Sequence, residues 1–168
     1  MLFEADLNTT FSIWMYTSTV VDAWIGVFGY GRDTNYSKAM IVTGDAGQGQ
    51  NALIEFDYQY KAYNTNVASY GTWHHVCVTA KRSGGSYTYT NIYIDGVAKV
   101  ENQSFITAIV KHHQRNIILI GQNPTTKSAN NYVADKAFTG YLAAARIYNR
   151  ILTPAEIVTL SQEFIPTV

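Results

Sequence analysis

Polar and apolar residues alternate along much of this chain, which is the pattern of β-strands that bury one face. The alternation is clearest over 75–80 (HVCVTA) and 87–94 (YTYTNIYI), on either side of a flexible Gly-containing loop at 83–86. Asp95-Gly96 follows at once and predicts a tight hairpin, because a type I′ turn needs positive φ at both central positions. The stretch 70–99 is therefore predicted to form three consecutive strands.

The same reasoning predicts an all-β chain with a short C-terminal helix. Further strands are predicted at 9–18, 20–29, 39–43, 52–60, 116–121 and 138–149, and loops or turns at 29–38, 44–50, 62–69 and 121–132. The helix is predicted after Thr153, a residue that caps a first turn, with Pro154 at the first helical position and Glu156 completing a capping box. Many short strands with Gly, Asn and Asp turns indicate a jelly-roll β-sandwich. With no internal repeat or linker, residues 1–168 are predicted to be one domain.

Composition narrows the classes of partner. The 12 basic and 12 acidic residues give a formal net charge of zero, which argues against binding to nucleic acid or an anionic membrane. No stretch is long and apolar enough to insert in a membrane, and the N-terminus lacks the features of a signal peptide. Only one cysteine, Cys77, is present, so no intrachain disulfide forms. Its position in an alternating strand predicts a small buried hydrophobe.

Six short motifs occur in an order that resembles a known family. They are TFSIW (10–14), GTWHHV (71–76), IYIDGV (92–97), ILIG (118–121), FTGYL (138–142) leading into RIYNR (146–150), and LTPAEI (152–157). Together they resemble the laminin G-like, concanavalin A-like lectin/glucanase domains over almost the whole chain. The resemblance implies a jelly-roll sandwich of two curved antiparallel sheets. Relatives bind carbohydrate, bind proteins, act as spacers in adhesins or hydrolyse glycans, so fold analogy alone does not select a function.

The resemblance also bears on metal binding and catalysis. The family usually carries acidic residues after the Gly-x-Ile of its last strand, where the first helps to hold a calcium ion, but Ala143 and Ala144 stand there. Calcium requires several oxygen ligands, and Asp33 is one loop acid that could compensate. We expect no metal and no cofactor. Glucanases of this fold use Glu-x-Asp-x-x-Glu, and the third acidic position here is Tyr60, so the chain is predicted not to be an enzyme.

Three groups of residues are candidates for ligand binding. Tyr87, Tyr89 and Tyr93 share one face of a predicted strand, where aromatic rings could stack on sugars; cross-strand packing or a subunit interface is the alternative. Glu55 and Asp57, with Gln59, form one polar strand face, which is either solvated or a binding surface. The third group is the polar loop that carries Arg32, Asp33 and Asn35. The pairs His74-His75 and His112-His113 are not predicted to bind metal, and no Ser-His-Asp arrangement is predicted.

The leading hypothesis is a non-catalytic recognition module that binds a glycan or glycoprotein at a cell or virion surface, in adhesion or attachment. The predicted location is therefore extracellular or on such a surface. The alternative is a structural assembly protein, such as a virion decoration or tail component that contacts other subunits. A glycan hydrolase is the more distant alternative.

Overall fold

The fold was obtained as a computed structural model that describes residues 8–18, 25–32, 37–44, 51–58, 61–83, 87–106, 118–121, 125–128, 131–133 and 138–163. Within these ranges the chain forms twelve strands followed by one helix. The elements are β1 Thr9–Thr17, β2 Ile25–Arg32, β3 Ser37–Gly44, β4 Asn51–Tyr58, β5 Lys61–Ser69, β6 Trp73–Ser83, β7 Tyr87–Ile94, β8 Val97–Ile106, β9 Ile118–Ile120, β10 Thr125–Ser128, β11 Asn131–Val133, β12 Gly140–Tyr148 and α1 Pro154–Glu163. The prediction of an all-β fold with a short C-terminal helix is confirmed.

Two five-stranded antiparallel sheets make up the sandwich. The first has the order β12-β1-β6-β7-β8, and the second has the order β5-β4-β3-β2-β9. The predicted meander over 70–99 is confirmed as β6, β7 and β8. Its turn has positive φ at both Asp95 (53°) and Gly96 (78°), as the Asp-Gly signal requires.

The core lies between the two sheets. Phe11, Ile13 and Met15 of β1 point into it, together with alternate residues of β6 and β7, and from the second sheet Phe28 and Ile41 meet them. The rings of Phe11 and Phe28 cross edge-to-face with their centroids 6.2 Å apart. Full burial of each such side chain is worth roughly 1.5–3 kcal/mol relative to exposure. The inward residues of β1 therefore place its alternate residues on the outer face of the first sheet.

Helix α1 covers part of that outer face. Ile157 and Leu160 pack with Leu152 against Cys77 of β6 and Tyr93 of β7, in a second buried cluster. The predicted capping box is present: the main-chain N–H of Thr153 donates to Glu156 (2.8 Å), and that of Glu156 donates to the Thr153 hydroxyl (3.3 Å). A bidentate ion pair from Arg150 to the same carboxylate holds the pKa of Glu156 down to about 2. The helix is thus fixed at its N-terminal end.

Strand boundaries differ from the prediction where loops were inferred from composition. Residues 29–32 continue β2, residues 61–69 form β5 rather than a turn, and residues 125–128 and 131–133 form a short hairpin. Glycine, asparagine and threonine were interpreted as loop residues there. Pairing with neighbouring strands overrides that local preference, because strand propensity depends strongly on context.

Candidate functional site

Three aromatic side chains from three adjacent strands meet at one end of the first sheet. Tyr16 near the end of β1 lies directly opposite Tyr141 of β12 on one side and Trp73 of β6 on the other. Ring centroids are 5.7 Å apart for Tyr16–Tyr141, 5.8 Å for Tyr16–Trp73 and 6.4 Å for Trp73–Tyr141, with interplanar angles of 37–60°. The three rings therefore form a closed triangle, here called the aromatic patch.

The aromatic patch is accessible and has a polar border. Tyr141 is 55% exposed, while Tyr16 and Trp73 are half-buried. Within two positions of the rings in sequence stand three exposed hydroxyl residues, Ser18, Thr72 and Thr139, here called the rim residues. An apolar ring surface bordered by hydrogen-bonding groups is the combination that suits a sugar, whose C–H face is apolar and whose edge carries hydroxyls.

Hydrogen bonds to main-chain carbonyls hold this end of the sheet together. The N–H of Gly71 donates to the carbonyl of Thr17 (2.9 Å), which ties the crossover before β6 to the end of β1. On the other side, the hydroxyl of Ser18 donates to the carbonyl of Thr139 (3.3 Å) and ties β1 to the start of β12. The three strands that carry the patch are therefore joined at their ends as well as along their ladders.

The patch ends where the outer face of the sheet becomes buried. Two residues further along the strands, Trp14 and His75 are both buried, and their rings lie 5.4 Å apart. The Nε2 atom of His75 is 2.9 Å from the hydroxyl of Ser12, and its Nδ1 has no partner among the described residues. Burial lowers the pKa of His75 to about 4, against the opposing attraction of Asp95, so this imidazole is neutral at pH 7.

A second polar cluster joins the end of β5 to the β7–β8 turn. Nδ1 of His74 lies 2.7 Å from Oδ2 of Asp95, and Nε2 of His74 lies 3.0 Å from the hydroxyl of Ser69. The main-chain N–H of Ser69 also donates to that Nε2 (3.1 Å), so Nε2 is unprotonated and Nδ1–H donates to Asp95. Burial by itself raises the pKa of Asp95, but hydrogen bonds from His74 and from the main-chain N–H of His75 hold it below its usual value.

The structure thus brings together a serine, a histidine and an aspartate that the sequence did not predict to be neighbours. Their order is that of a catalytic triad, in which the imidazole takes the proton of the serine hydroxyl. Here, however, the N–H of Ser69 shares the single lone pair of Nε2 with that hydroxyl. We therefore interpret the cluster as a clamp that fixes the β5–β6 crossover, which leads directly into Trp73.

The predicted tyrosine surface is not a continuous platform. Tyr93 is only 6% exposed, because α1 docks on it, so the prediction that it lines an exposed surface was wrong. Tyr89 is 37% exposed, and the side chain of Tyr87 lies outside the described residues. Tyr89 pairs with Lys81, eight residues along β6 from Trp73, so it stands roughly 26 Å from the aromatic patch on the other side of the helix.

The acidic candidates lie in the other sheet. In β4 the backbones of Glu55 and Asp57 pair with Val42 and Met40 of β3, so both residues belong to the second sheet, whereas the aromatic patch lies on the first. The side chains of Glu55 and Asp57 lie outside the described residues. The backbone of Arg32 ends β2, opposite Ser37. Asp33, Asn35, Gln59 and the pair His112-His113 lie outside the described residues.

That the chain binds no calcium stays a prediction. Ala143 pairs with Trp14 near a bulge in β12, and Ala144 has a positive φ of 49°, so these positions present methyl groups where the family has acids. Among the described residues no group of three or more His, Cys, Asp or Glu side chains is arranged to hold a metal ion.

A bound ion would stabilise the folded state by mass action and raise the melting temperature. Because we expect no bound calcium, the melting temperature should be unchanged, within about 1 °C, when calcium is replaced by EDTA. The measurement is differential scanning fluorimetry in about 10 mM calcium and in EDTA, because this concentration is about ten times the weakest calcium dissociation constants of extracellular modules, about 1 mM. A fall of several degrees in EDTA would show that Asp33 or main-chain carbonyls replace the missing acids.

Comparison with known proteins assigns the family. A profile of the concanavalin A-like lectin/glucanases superfamily, of the laminin G type, matches residues 2–158. The chain therefore belongs to this superfamily, and the predicted resemblance and the lectin-type jelly roll are confirmed.

Individual relatives are more distant. Neuronal pentraxin-1 from rat, human and mouse is 30% identical over 98 residues, which are 56% of this chain and 21% of the pentraxin. The chain thus spans about a fifth of the length of the curated relatives it matches. Domain 4 of AbnA, an extracellular GH43 arabinanase from Geobacillus stearothermophilus solved with arabinotriose, superposes with a TM-score of 0.59 at 18% identity, over 96% of this chain and 69% of that one. A Trypanosoma rangeli sialidase in complex with 2,3-difluorosialic acid superposes with a TM-score of 0.66 at 18% identity, over 98% of this chain and 24% of the sialidase.

These structures correct one prediction. The arabinanase and the sialidase are glycoside hydrolases, so chains of this fold occur within enzymes. The prediction that this chain is not an enzyme was therefore wrong, because membership of this family does not exclude an enzyme. At 18% identity, and with a quarter of the sialidase covered, the likeness concerns the fold.

Proposed function

We propose that this chain binds carbohydrate, and that the aromatic patch of Tyr16, Trp73 and Tyr141 is the surface that binds it. The single observation that carries the proposal is the triangle of rings at the end of the first sheet, in which Tyr141 is exposed and hydroxyl residues stand close by in sequence. Membership of a lectin/glucanase superfamily supports it, and so does the arabinotriose in the crystals of the arabinanase domain.

The patch is shallow, so each contact is weak. Stacking on an exposed ring adds of the order of 1 kcal/mol, and rim hydroxyls add a few hydrogen bonds that compete with water. Useful affinity then comes from several copies of the chain acting on one glycan-bearing surface. This supports a role in attachment to glycans or glycoproteins, with the chain acting at an extracellular surface. No helix in the described part of the chain is long and apolar enough to cross a membrane.

Tyr89 is a second proposed stacking position. It is the one tyrosine of the predicted surface that is both described and exposed. Because it is separated from the patch by the helix, the two positions can be tested independently.

We expect Tyr141→Ala to weaken retention on an immobilised glycan about tenfold, equivalent to about 1.4 kcal/mol, with almost no change in melting temperature. The ring is 55% exposed on an edge strand, so its removal leaves little cavity. A multimerised chain is first screened on a broad glycan array. Surface plasmon resonance on the best hit then compares Tyr141→Ala with Tyr141→Phe, which keeps the ring and loses the hydroxyl.

Tyr89→Ala tests the second proposed position, at the other end of the same face. Retention that falls only in Tyr141→Ala assigns binding to the patch, and retention that falls only in Tyr89→Ala moves the site to β7. If neither variant loses retention, the rings are not the binding surface. A blank array would contradict carbohydrate binding itself.

A further inference from the structure

Within the part of the chain that the structure describes, the aromatic patch has clear limits. Tyr141 lies on β12, the edge strand of its sheet, and the strand ends that carry Ser18 and Thr139 close the patch in the direction of the loops. In the other direction Trp14 and His75 are buried. The next described tyrosine that is exposed on this face is Tyr89, beyond the helix. Among the described residues, a glycan that crosses the patch therefore meets one stacking surface and no second one in line.

The geometry of the rings sets the size of what stacks there. All three centroids lie within 6.4 Å of one another, and the rings are tilted by 37–60° rather than laid in a row. A surface that binds the interior of an extended glycan needs aromatic rings repeated along the chain direction, one for each sugar or every second sugar. A closed triangle with a single well-exposed ring offers room for one sugar.

The charges around the patch narrow the class of sugar. The rim residues Ser18, Thr72 and Thr139 carry hydroxyls and no charge. The guanidinium of Arg146, on the same strand as Tyr141, donates to Glu163 (2.7 Å), so that cation is already paired. An acidic sugar is usually held through its carboxylate by an arginine or lysine, which forms the stronger, charge-assisted hydrogen bonds. The described rim offers no such partner.

We infer that the aromatic patch binds a single neutral sugar at the end of a glycan or at a branch, and that it does not bind an acidic sugar or the interior of a linear chain. The inference rests on the proposed function and names the class of ligand for the same site. Recognition depends on the C–H face and hydroxyls of one ring, so the underlying chain contributes little. Because no ion pair forms, binding is insensitive to salt.

The test is a competition on the glycan array hit, using the multimerised full chain. The competitors are the methyl glycosides of glucose, galactose, mannose, arabinose, N-acetylglucosamine and sialic acid, each beside an oligosaccharide that ends in the same sugar. We expect one neutral methyl glycoside to compete within about threefold of its oligosaccharide, and the sialic acid glycoside not to compete. Raising sodium chloride from 50 to 500 mM should change retention less than twofold. Tyr141→Ala should lose the competed signal, while Val97→Ala, which removes an equally exposed apolar side chain outside the patch, keeps it.

Other outcomes separate this inference from the proposed function. An oligosaccharide that competes tenfold better than its terminal glycoside overturns the single-sugar site, although carbohydrate binding stands. Competition by the sialic acid glycoside, with loss of retention at high salt, overturns the neutral class alone. Retention that is unchanged in Tyr141→Ala places the binding elsewhere and overturns the inference. The absence of any hit on the array overturns both.

Discussion

Gly140→Ala is expected to destabilise the chain by about 3 kcal/mol, and to remove glycan retention with it. A Cβ atom at this position would lie 1.9 Å from the main-chain carbonyl oxygen of Tyr16, a distance that no relaxation of side chains can relieve. Gly140 also has a φ of 150°, which residues with a Cβ rarely adopt. The start of β12 would have to separate from β1, and this moves Tyr141 away from Tyr16. The loss belongs to the upper part of the usual range for single substitutions.

Gly71→Ala is the matched control. Gly71 has a similarly unusual φ of 73°, but a Cβ there would meet no atom within 4 Å. That variant should lose only about 1–2 kcal/mol through backbone strain. Urea unfolding followed by tryptophan fluorescence measures the free energy of unfolding of both variants. In thermal unfolding, 1 kcal/mol corresponds to about 2–4 °C for a domain of this size, so the melting temperature of Gly140→Ala should lie clearly below that of Gly71→Ala. Equal losses would mean that β1 and β12 do not pack as closely as described.

The features that the sequence predicted correctly are those set by residues close together in the chain. Asp95-Gly96 dictates its own turn, because its two positive φ angles are local. Thr153 and Glu156 form their capping box within a single helical turn. The alternation over 75–80 predicted which residues of β6 enter the core, and Val76 and Val78 are indeed fully buried.

The aromatic patch could not be predicted in this way. Tyr16 lies on the face of β1 opposite the core, as its alternation with Phe11, Ile13 and Met15 requires, but its partners lie on strands that begin at Trp73 and Gly140. Which strands flank β1, and in which register, depends on pairings between residues far apart in the chain, such as Tyr16 with Trp73 and Tyr16 with Tyr141. A shift of one residue in either ladder would turn the partner ring to the other face of the sheet.

The prediction of an exposed tyrosine surface on β7 was wrong for a different reason. Alternation places Tyr89 and Tyr93 on the same face, as predicted, but it gives no information on what covers that face. Helix α1 docks over one part of it, so Tyr93 is buried against Cys77 while Tyr89 stays exposed. Burial of that thiol raises the pKa of Cys77 to about 12, as expected for a cysteine that acts as a core hydrophobe. Exposure is therefore a tertiary property, and the strand pattern alone overestimated the aromatic surface.

His75 is expected to make the chain lose about 3 kcal/mol of stability between pH 6.5 and pH 4. The imidazole is fully buried, and its pKa in the folded chain is about 4, whereas an unfolded histidine titrates near 6.5. As the pH falls below 6.5, His75 binds a proton in the unfolded chain but not in the folded chain, so the free energy of unfolding decreases. It stops decreasing from this cause below about pH 4, where both states are protonated. Asp95, with its pKa held below the usual value, acts at lower pH, since its contribution is present above about pH 4 and is lost on further acidification.

Urea unfolding at pH 7, 6, 5 and 4 measures this loss, and two variants assign it. His75→Asn should be less stable than the wild type at pH 7, but its stability should change little down to pH 5, because the titrating group is gone. Ser12→Ala removes the hydroxyl beside Nε2 and keeps the buried imidazole, so it should retain the full pH dependence. If His75→Asn loses as much stability between pH 7 and pH 4 as the wild type, another group is responsible. The neutral imidazole beside Trp14 would then not be what limits the stability of this end of the sheet at acid pH.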